Sequence, residues 1–336
     1  MLIRICEPAH TGEARRNAIS FAQKANFTNN DQGALAIVVT EIATNLLKHA
    51  RSGLLVIERI GQNGNSGVRV LGLDKGPGIR DLSAALQDGF SSAGTAGNGL
   101  GAIKRLSHSF DIHSDPTLGT AILADFWPNG SIVKQQSLPL HVGVVSIPMN
   151  GEDVCGDGWG VRTFDQSLLL TVIDGLGHGI LAAEAARDAE KIFMGLRNAS
   201  LTTILQDSHD SLKKTRGAAM AVASVHLDKK LLSFAGVGNI GASIVTPISS
   251  RGMTSHNGTV GHQLHKIQEF VFPWTADSIL VMHSDGLKTT WDLTRYPGVW
   301  NKHPALIAGM LYRDFTRDRD DVTVLIAKES LRSEHV

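Results

Sequence analysis

The chain has 336 residues with 32 basic and 32 acidic side chains, so its formal net charge is zero and no overall field draws it to nucleic acid or an anionic membrane. At roughly 150 residues per domain, that length allows about two domains, each able to bury its own core. Cys6 and Cys155 stand in different halves, which excludes a disulfide framework and a paired-thiol zinc or redox motif and suits a reducing cytoplasm.

The opening Met1-Leu2-Ile3-Arg4-Ile5-Cys6-Glu7 meets charge well before the roughly 7–15 apolar residues of a signal-peptide core. Apolar runs such as 34–39 and 168–173 fall far short of the ~20 residues that span a bilayer. A soluble, cytoplasmic protein is expected. Over residues 31–50, Leu35, Val38, Val39, Ile42, Leu46 and Leu47 recur every three or four positions, which predicts one amphipathic helix. Branched apolar stretches at 54–60 and 68–73 predict strands, with a hairpin turn over Gly61-Gln62-Asn63-Gly64-Asn65. A helix over 100–106 and strands over 110–113 and 120–126 complete a first domain, expected over residues 1–129. Residues 130–139, polar and without a clear period between Pro128 and Pro139, read as a linker.

A second domain is expected over 140–330. Its predicted strands lie at 142–147, 158–163, 167–173, 218–226, 231–236, 242–246, 278–283 and 322–327, with one alanine-rich helix over 180–196. The fold class expected is therefore α+β in two domains. No repeat of solenoid period is present. Trp274, Trp291 and Trp300 lack interleaved basic residues and read as packing groups. His10, His49, His108, His113 and His262 show no zinc spacing.

Glu41 and Asn45 are four apart on the first long helix, so both project from one face and can converge on one ligand. A carboxylate there can deprotonate an attacking hydroxyl, and an amide oxygen can hold Mg²⁺ beside phosphates. Alone, the pair reads equally as a solvated helix face. Asp74 closes a strand before Gly76 and Gly78, a pattern that lets the backbone approach a flat ligand and also suits an ordinary turn. Gly97, Gly99 and Gly101 open a helix whose free N–H groups would attract a polyphosphate. The small, polar stretch 91–96 before it is a candidate lid. Order and spacing make the combination specific.

Glu41-Ile42-Ala43-Thr44-Asn45, Asp74-Lys75-Gly76-Pro77-Gly78-Ile79 and Gly97-Asn98-Gly99-Leu100-Gly101 resemble the three nucleotide boxes of the GHKL ATPase fold. Gln87-Asp88-Gly89-Phe90-Ser91 and Gly101-Ala102-Ile103-Lys104-Arg105-Leu106 are most similar to the stressosome switch kinases of the RsbT type. The resemblance covers about residues 28–127. It implies an α/β sandwich, a mixed sheet with helices on one face, that phosphorylates Ser or Thr of STAS-domain proteins. It further implies ATP and Mg²⁺ as cofactors, Glu41 as base, Asn45 as Mg²⁺ ligand and Asp74 as adenine contact, with Gly76, Gly78, Gly97, Gly99 and Gly101 around the nucleotide.

In the second half Asp157, Asp174, Asp285 and Asp320 stand at the ends of apolar runs, where a layered sheet fold could gather them. Hard oxygen ligands favour Mg²⁺ or Mn²⁺ over zinc, and two such ions would activate a bridging water for phosphate ester hydrolysis. Any one of these aspartates alone reads as a turn residue. The set with Cys155-Gly156-Asp157, Asp174-Gly175-Leu176-Gly177-His178-Gly179, Gly236-Val237-Gly238-Asn239, Ser284-Asp285-Gly286 and Asp320-Asp321-Val322-Thr323 resembles the SpoIIE branch of the metal-dependent protein phosphatases, nearest the RsbX type. That resemblance implies a β-sandwich flanked by helices and two Mn²⁺ or Mg²⁺ ions, bridged by Asp174. The Gly175 carbonyl and Asp157, Asp285 and Asp320 would complete the shells, with Asp321 as a neighbour. Eukaryotic members have a histidine where Leu176 stands, and their phosphate-binding arginine has no counterpart near 150–157. The leaving-group acid is therefore unassigned, and His178 reads first as a local hydrogen-bonding residue.

The two resemblances together imply a bifunctional partner-switching regulator that phosphorylates and dephosphorylates STAS-domain proteins, possible members of a sigma-factor pathway, with no nucleic-acid or membrane partner. The alternative keeps the phosphatase and makes the first domain a nucleotide sensor or partner-binding module. Intact Glu41 and Asn45 argue against that alternative, because a pure sensor has no need of a base.

Overall fold

The computed structural model describes residues 1–62, 65–86, 99–128, 140–164, 166–196 and 199–329. The chain runs β1 (Leu2–Ile5), α1 (Pro8–Lys24), α2 (Asn29–Ala50), β2 (Gly53–Gln62), β3 (Asn65–Leu73), α3 (Leu82–Ala85), α4 (Gly99–Leu106), β4 (Ser109–Asp115) and β5 (Gly119–Phe126). It continues with β6 (Leu140–Ile147), β7 (Asp157–Phe164), β8 (Ser167–Gly175), α5 (Ile180–Gly195), α6 (Leu201–Leu212), β9 (Ala218–His226), β10 (Leu231–Val237) and β11 (Gly241–Thr246). The last elements are β12 (Ser249–Met253), β13 (Phe270–Pro273), β14 (Ile279–His283), α7 (Pro304–Phe315) and β15 (Val322–Glu329). They form two units, Met1–Gln135 with Tyr296–Arg313, and Gln136–Arg295 with Asp314–Val336. The candidate lid and linker lie outside the described residues. No described helix is long and apolar enough to cross a membrane.

The first unit is built on a sheet of order β1-β2-β3-β5-β4. Each of its pairings is antiparallel, where a mixed sheet was expected. The reason is topological: β2–β3 and β4–β5 are hairpins, and the chain through α3 and α4 returns β5 to the free edge of β3 in the opposite sense. The predicted helix begins two residues early, at Asn29, because Thr28 and Asp31 form a capping box. Its apolar stripe, Leu35, Val38, Val39, Ile42 and Leu46, packs with Leu55, Ile57, Val68, Val70, Ala124 and Phe126 of the sheet. Helix α1 escaped the sequence reading because its buried stripe is Ala14, Ala18 and Ala22, too weakly apolar to stand out.

Side chains alternate along a strand, so Val56, Leu71, Leu73, Ala121 and Leu123 face away from α2, yet they too are fully buried. Tyr296–Arg313 packs on this second face. A Cβ on Gly309 would lie 3.2 Å from Leu73 Cδ2. Lys302 Nζ donates to the Ile112 carbonyl at 2.6 Å, the His303 N–H donates to Asp111 Oδ2 at 2.6 Å, and Tyr296 meets His113 edge-on.

The same face carries a cross-strand charge set. Arg69 forms a fork with Asp125 at 2.6 and 2.7 Å, and Glu58 lies beside them with Oε1 3.9 Å from Arg69 and no hydrogen-bond partner. Burial pushes the Glu58 carboxyl up to about 7; Arg69 opposes that rise and Asp125 adds to it. A carboxyl raised in the folded state contributes its full stability below its unfolded pKa, about 4.3, and loses it as pH rises through 7. Urea unfolding of the full chain at pH 5 and pH 8 should therefore show the first unit weakening by on the order of 1–3 kcal/mol, and Glu58→Gln should flatten that dependence.

The second unit stacks two five-stranded antiparallel sheets, β13-β10-β9-β8-β7 and β12-β11-β14-β15-β6. Period-two alternation sorts β8: Leu168, Leu170 and Val172 point inward to Phe234, Leu280, Met282 and Leu325, while Leu169 and Ile173 point outward. The outward face packs on α5 through Ala185, Ala186, Ala189 and Phe193, and on α6 through Ile204, Leu205 and Leu212. The reading that strands dominate this half missed α6, which is capped by the Ser200 hydroxyl accepting from the Thr203 N–H.

Candidate active sites

In the first unit, α2 carries Glu41 and Asn45, and α4 starts at Gly99. A Cβ built on Gly99 would sit 3.1 Å from Glu41 Oε2 and 3.9 Å from both terminal atoms of Asn45. The first and third boxes therefore converge, and the helix N-terminus faces the carboxylate and amide. Asp74, at the end of β3, accepts through Oδ1 from the Gly76 N–H at 2.8 Å and the Thr120 N–H at 3.1 Å, leaving Oδ2 as an acceptor for a ligand. Burial raises the Asp74 carboxyl, and those two N–H groups oppose the rise. Gly78 has φ +63° and a Cβ there would fall 2.4 Å from the Asp115 carbonyl, so this turn requires glycine. The Arg313 guanidinium donates to the Asp74 carbonyl at 2.8 Å and steadies the strand end from its other side. Gly101 is buried on α4. Gly97, like the stretch 87–91, lies outside the described residues.

In the second unit, Asp157 opens β7 directly opposite Asp174 near the end of β8. Asp285 follows β14 by two residues, and Asp320 precedes the adjacent strand β15 by two. The four thus gather at strand ends of the two stacked sheets. Burial first, then the charges of Asp157, Asp285 and Asp320, push the Asp174 carboxyl up to about 8. Burial first and the Asp321 and Asp320 charges drive Asp157 to about 7, against the hydroxyls of Ser284 and Thr323. Burial, with Asp320 adding and Arg317 opposing, raises Asp285. Burial, followed by Asp157, pushes the Cys155 thiol up to about 12. The carboxyls thus raise one another's proton affinity.

Among the described residues no three such side chains are already closed around one centre. The charges that raise Asp174 are of the kind a divalent cation would relieve. The donors are all oxygens, and the buried Asp321 Oδ2 has no hydrogen-bond partner. Such a set fits Mg²⁺ or Mn²⁺.

Residues that sequence reasoning left without roles hold these aspartates in place. The Ser284 hydroxyl donates to Asp157 Oδ2 at 2.6 Å and accepts from the Thr323 N–H at 2.9 Å, tying β7, β14 and β15 together. Asn239 Nδ2 donates to Asp285 Oδ2 at 2.7 Å. The Met149 N–H donates to Asp321 Oδ1 at 2.8 Å, and Asp321 packs so closely on Gly156 that a Cβ there would lie 2.6 Å from Oδ2. Behind Ser284, His283 Nδ1 bonds the Ser284 carbonyl and its Nε2 accepts from Trp291 Nε1 at 3.1 Å, which fixes the neutral tautomer. Ser284 and Asn239 sat inside quoted motifs, so their positions were visible and only their partners were not. Ser284→Ala should weaken Mn²⁺ affinity by about 10–100-fold, measurable by calorimetric titration.

Residues 6–125 match the histidine kinase-like ATPase domain family, and residues 165–329 match the family of stage II sporulation protein E. Over 114 residues the chain is 34% identical to the serine/threonine-protein kinase RsbT of Bacillus subtilis (strain 168), a span of 34% of this chain and 86% of that relative. Over 150 residues it is 23% identical to the phosphoserine phosphatase RsbX of the same organism, covering 44% of this chain and 75% of that relative. A solved chain described under "The bacterial stressosome: a modular system that has been adapted to control secondary messenger signaling" superposes with a TM-score of 0.54 at 28% identity, over 56% of this chain and 99% of its own. The chain therefore belongs to the RsbT family of kinase-like ATPases through its first unit and carries a SpoIIE-type phosphatase domain fused behind it, the two enzyme types of a partner-switching regulator.

Proposed function

We propose that the chain transfers phosphate from ATP to Ser or Thr of a STAS-domain protein at the Glu41 site and removes it again at the Asp174 site. On this reading the catalytic domains are residues 1–129 and 140–330, joined by 130–139, with Tyr296–Arg313 of the second stretch belonging to the first compact unit, and the protein works in the cytoplasm. The observation that carries the reading is the convergence of Glu41, Asn45 and Gly99 in the same chain as four mutually repelling aspartates.

At the first site Glu41 accepts the proton of the substrate hydroxyl as its oxygen attacks the γ-phosphorus and ADP departs. Asn45 would hold Mg²⁺, Asp74 Oδ2 would accept from the adenine amino group, and Gly76, Gly78, Gly97, Gly99 and Gly101 would shape the nucleotide cradle. At the second site Asp157, Asp174, Asp285, Asp320 and the Gly175 carbonyl would hold a pair of Mn²⁺ or Mg²⁺ ions, with Asp174 as the shared ligand. Paired ions there would supply an acidified water and neutralise the phosphoryl oxygens. Ser284 and Asn239 keep Asp157 and Asp285 oriented.

The test uses labelled ATP, Mg²⁺ and purified STAS-domain proteins of the source genome, with the full chain in an Asp174→Ala background so that transferred label persists. Label on one STAS protein, released on adding wild-type chain and Mn²⁺ and retained with chelator, is the expected outcome. ATP binding without transfer to any of them would replace the kinase with a nucleotide sensor.

A further inference from the structure

The segment that follows Asp174 is apolar where solvent would call for polar groups. Leu176, Ile180 and Leu181 are 44%, 66% and 50% exposed, all within seven residues of Asp174. Single exposed apolar residues are ordinary, and Ile248 in the turn before β12 is one. Three within six positions, in the loop and helix start that follow Asp174, form a patch.

Their exposure is built in. The Leu176 N–H donates to the Gly217 carbonyl at 3.0 Å and His178 Nδ1 bonds Glu152 Oε1 at 2.6 Å, so the loop between the metal-facing strand and α5 is pinned on both sides. Beyond it, Ala182, Ala183, Ala185 and Ala186 take the buried face of α5, which leaves Ile180 and Leu181 on the solvent side of its first turn. A cation stands beside the patch. Arg216 Nη1 is 3.0 Å from the Cβ position of Gly177, and the side chain is exposed. The sequence offered no phosphate-binding arginine near 150–157; the fold brings Arg216 of the α6–β9 connection to the loop that follows Asp174.

We propose that Leu176, Ile180 and Leu181, with Arg216, are the docking surface for a folded phosphoprotein substrate whose phosphoserine is flanked by an apolar patch. The proposal rests on the phosphatase reading above and names how its substrate is recognised. A phosphoseryl group reaching Asp174 must bring its own protein surface over these residues, since one helical turn spans only about 5 Å. Apolar contact supplies affinity that a free phosphate ester lacks, and the Arg216 fork matches the phosphate dianion.

Ile180→Asp with Leu181→Asp in the full chain is the discriminating variant. Both positions are exposed and lie in the first turn of α5, where acidic residues are tolerated. With Mn²⁺, hydrolysis of p-nitrophenyl phosphate should stay within about twofold of wild type, while kcat/KM for a phosphoserine-bearing STAS-domain protein should fall by on the order of a hundredfold, through KM. In an Asp174→Ala background the same pair should weaken binding of that phosphoprotein by a similar factor. Arg216→Ala should weaken the phosphorylated form by about tenfold and leave the unphosphorylated form unchanged, with Arg216→Lys restoring part of the loss. Unchanged phosphoprotein binding in the double variant, an equal loss on both substrates, or a change of oligomeric state on losing the patch would overturn the proposal. A wild-type chain that hydrolyses neither substrate would defeat the phosphatase reading instead, and the binding measurement would still decide the docking surface.

Discussion

Replacing Asp174 by alanine is expected to lower metal-dependent phosphoserine hydrolysis by at least about a thousandfold while phosphoryl transfer from ATP continues. Asp174 is the carboxylate on which the charges of the other three converge, so on the proposed function its removal takes away the ligand that two cations would share. Lewis-acid stabilisation is worth several kcal/mol, and each 1.4 kcal/mol is tenfold in rate, which gives the size of the loss. A second readout separates this from misfolding. With a folded-state pKa of about 8, Asp174 contributes stability that is fully present below about pH 4 and lost as pH rises through 8. In chelator at pH 8, Asp174→Asn should therefore raise the unfolding free energy by on the order of 1–3 kcal/mol even as it abolishes hydrolysis. Saturating Mn²⁺ should reverse the order, stabilising wild type and leaving the variant unmoved.

Glu41→Gln is expected to lower phosphoryl transfer by roughly 10²–10⁴-fold with ATP affinity kept, the span that a positioned general base supplies. The amide has nearly the shape of the carboxylate, so the fit against Gly99 persists and only proton acceptance is lost. Asn45→Ala should act differently, weakening Mg²⁺-dependent ATP binding itself. Single-turnover transfer and equilibrium nucleotide titration, both in the Asp174→Ala background, distinguish the two. Equal transfer by Glu41→Gln and its parent would remove Glu41 from the chemistry.

Much of this was visible along the chain, for particular reasons. The stripe from Leu35 to Leu46 and the alternation of Leu168 to Val172 are periodic, and periodicity names an element before its partners are known. Asp157 and Asp174 were singled out separately as strand-end aspartates, and the β7–β8 register sets them face to face. What stayed hidden depends on contacts between distant positions. Ser284 gains a role only when β14 lies beside β15 and near Asp157, and Arg216 only when the α6–β9 connection comes alongside Gly177. Helix α7 was missed for another reason: it is apolar nearly all round, Ala305, Leu306, Ile307, Ala308, Met310 and Leu311 being fully buried, so no amphipathic stripe marks it.

The excursion of Tyr296–Arg313 onto the sheet of the first unit bears on how such a gene can evolve. Fission between codons 135 and 136 would give one product a sheet with Leu71, Leu73, Ala121 and Leu123 bared to water, and the other a stranded apolar helix. Descendants that separate the two enzymes would need fresh polar substitutions on that sheet before either half could survive alone. The joined reading frame is thus held by a solubility barrier, and inheritance as a single locus follows from where one helix lies.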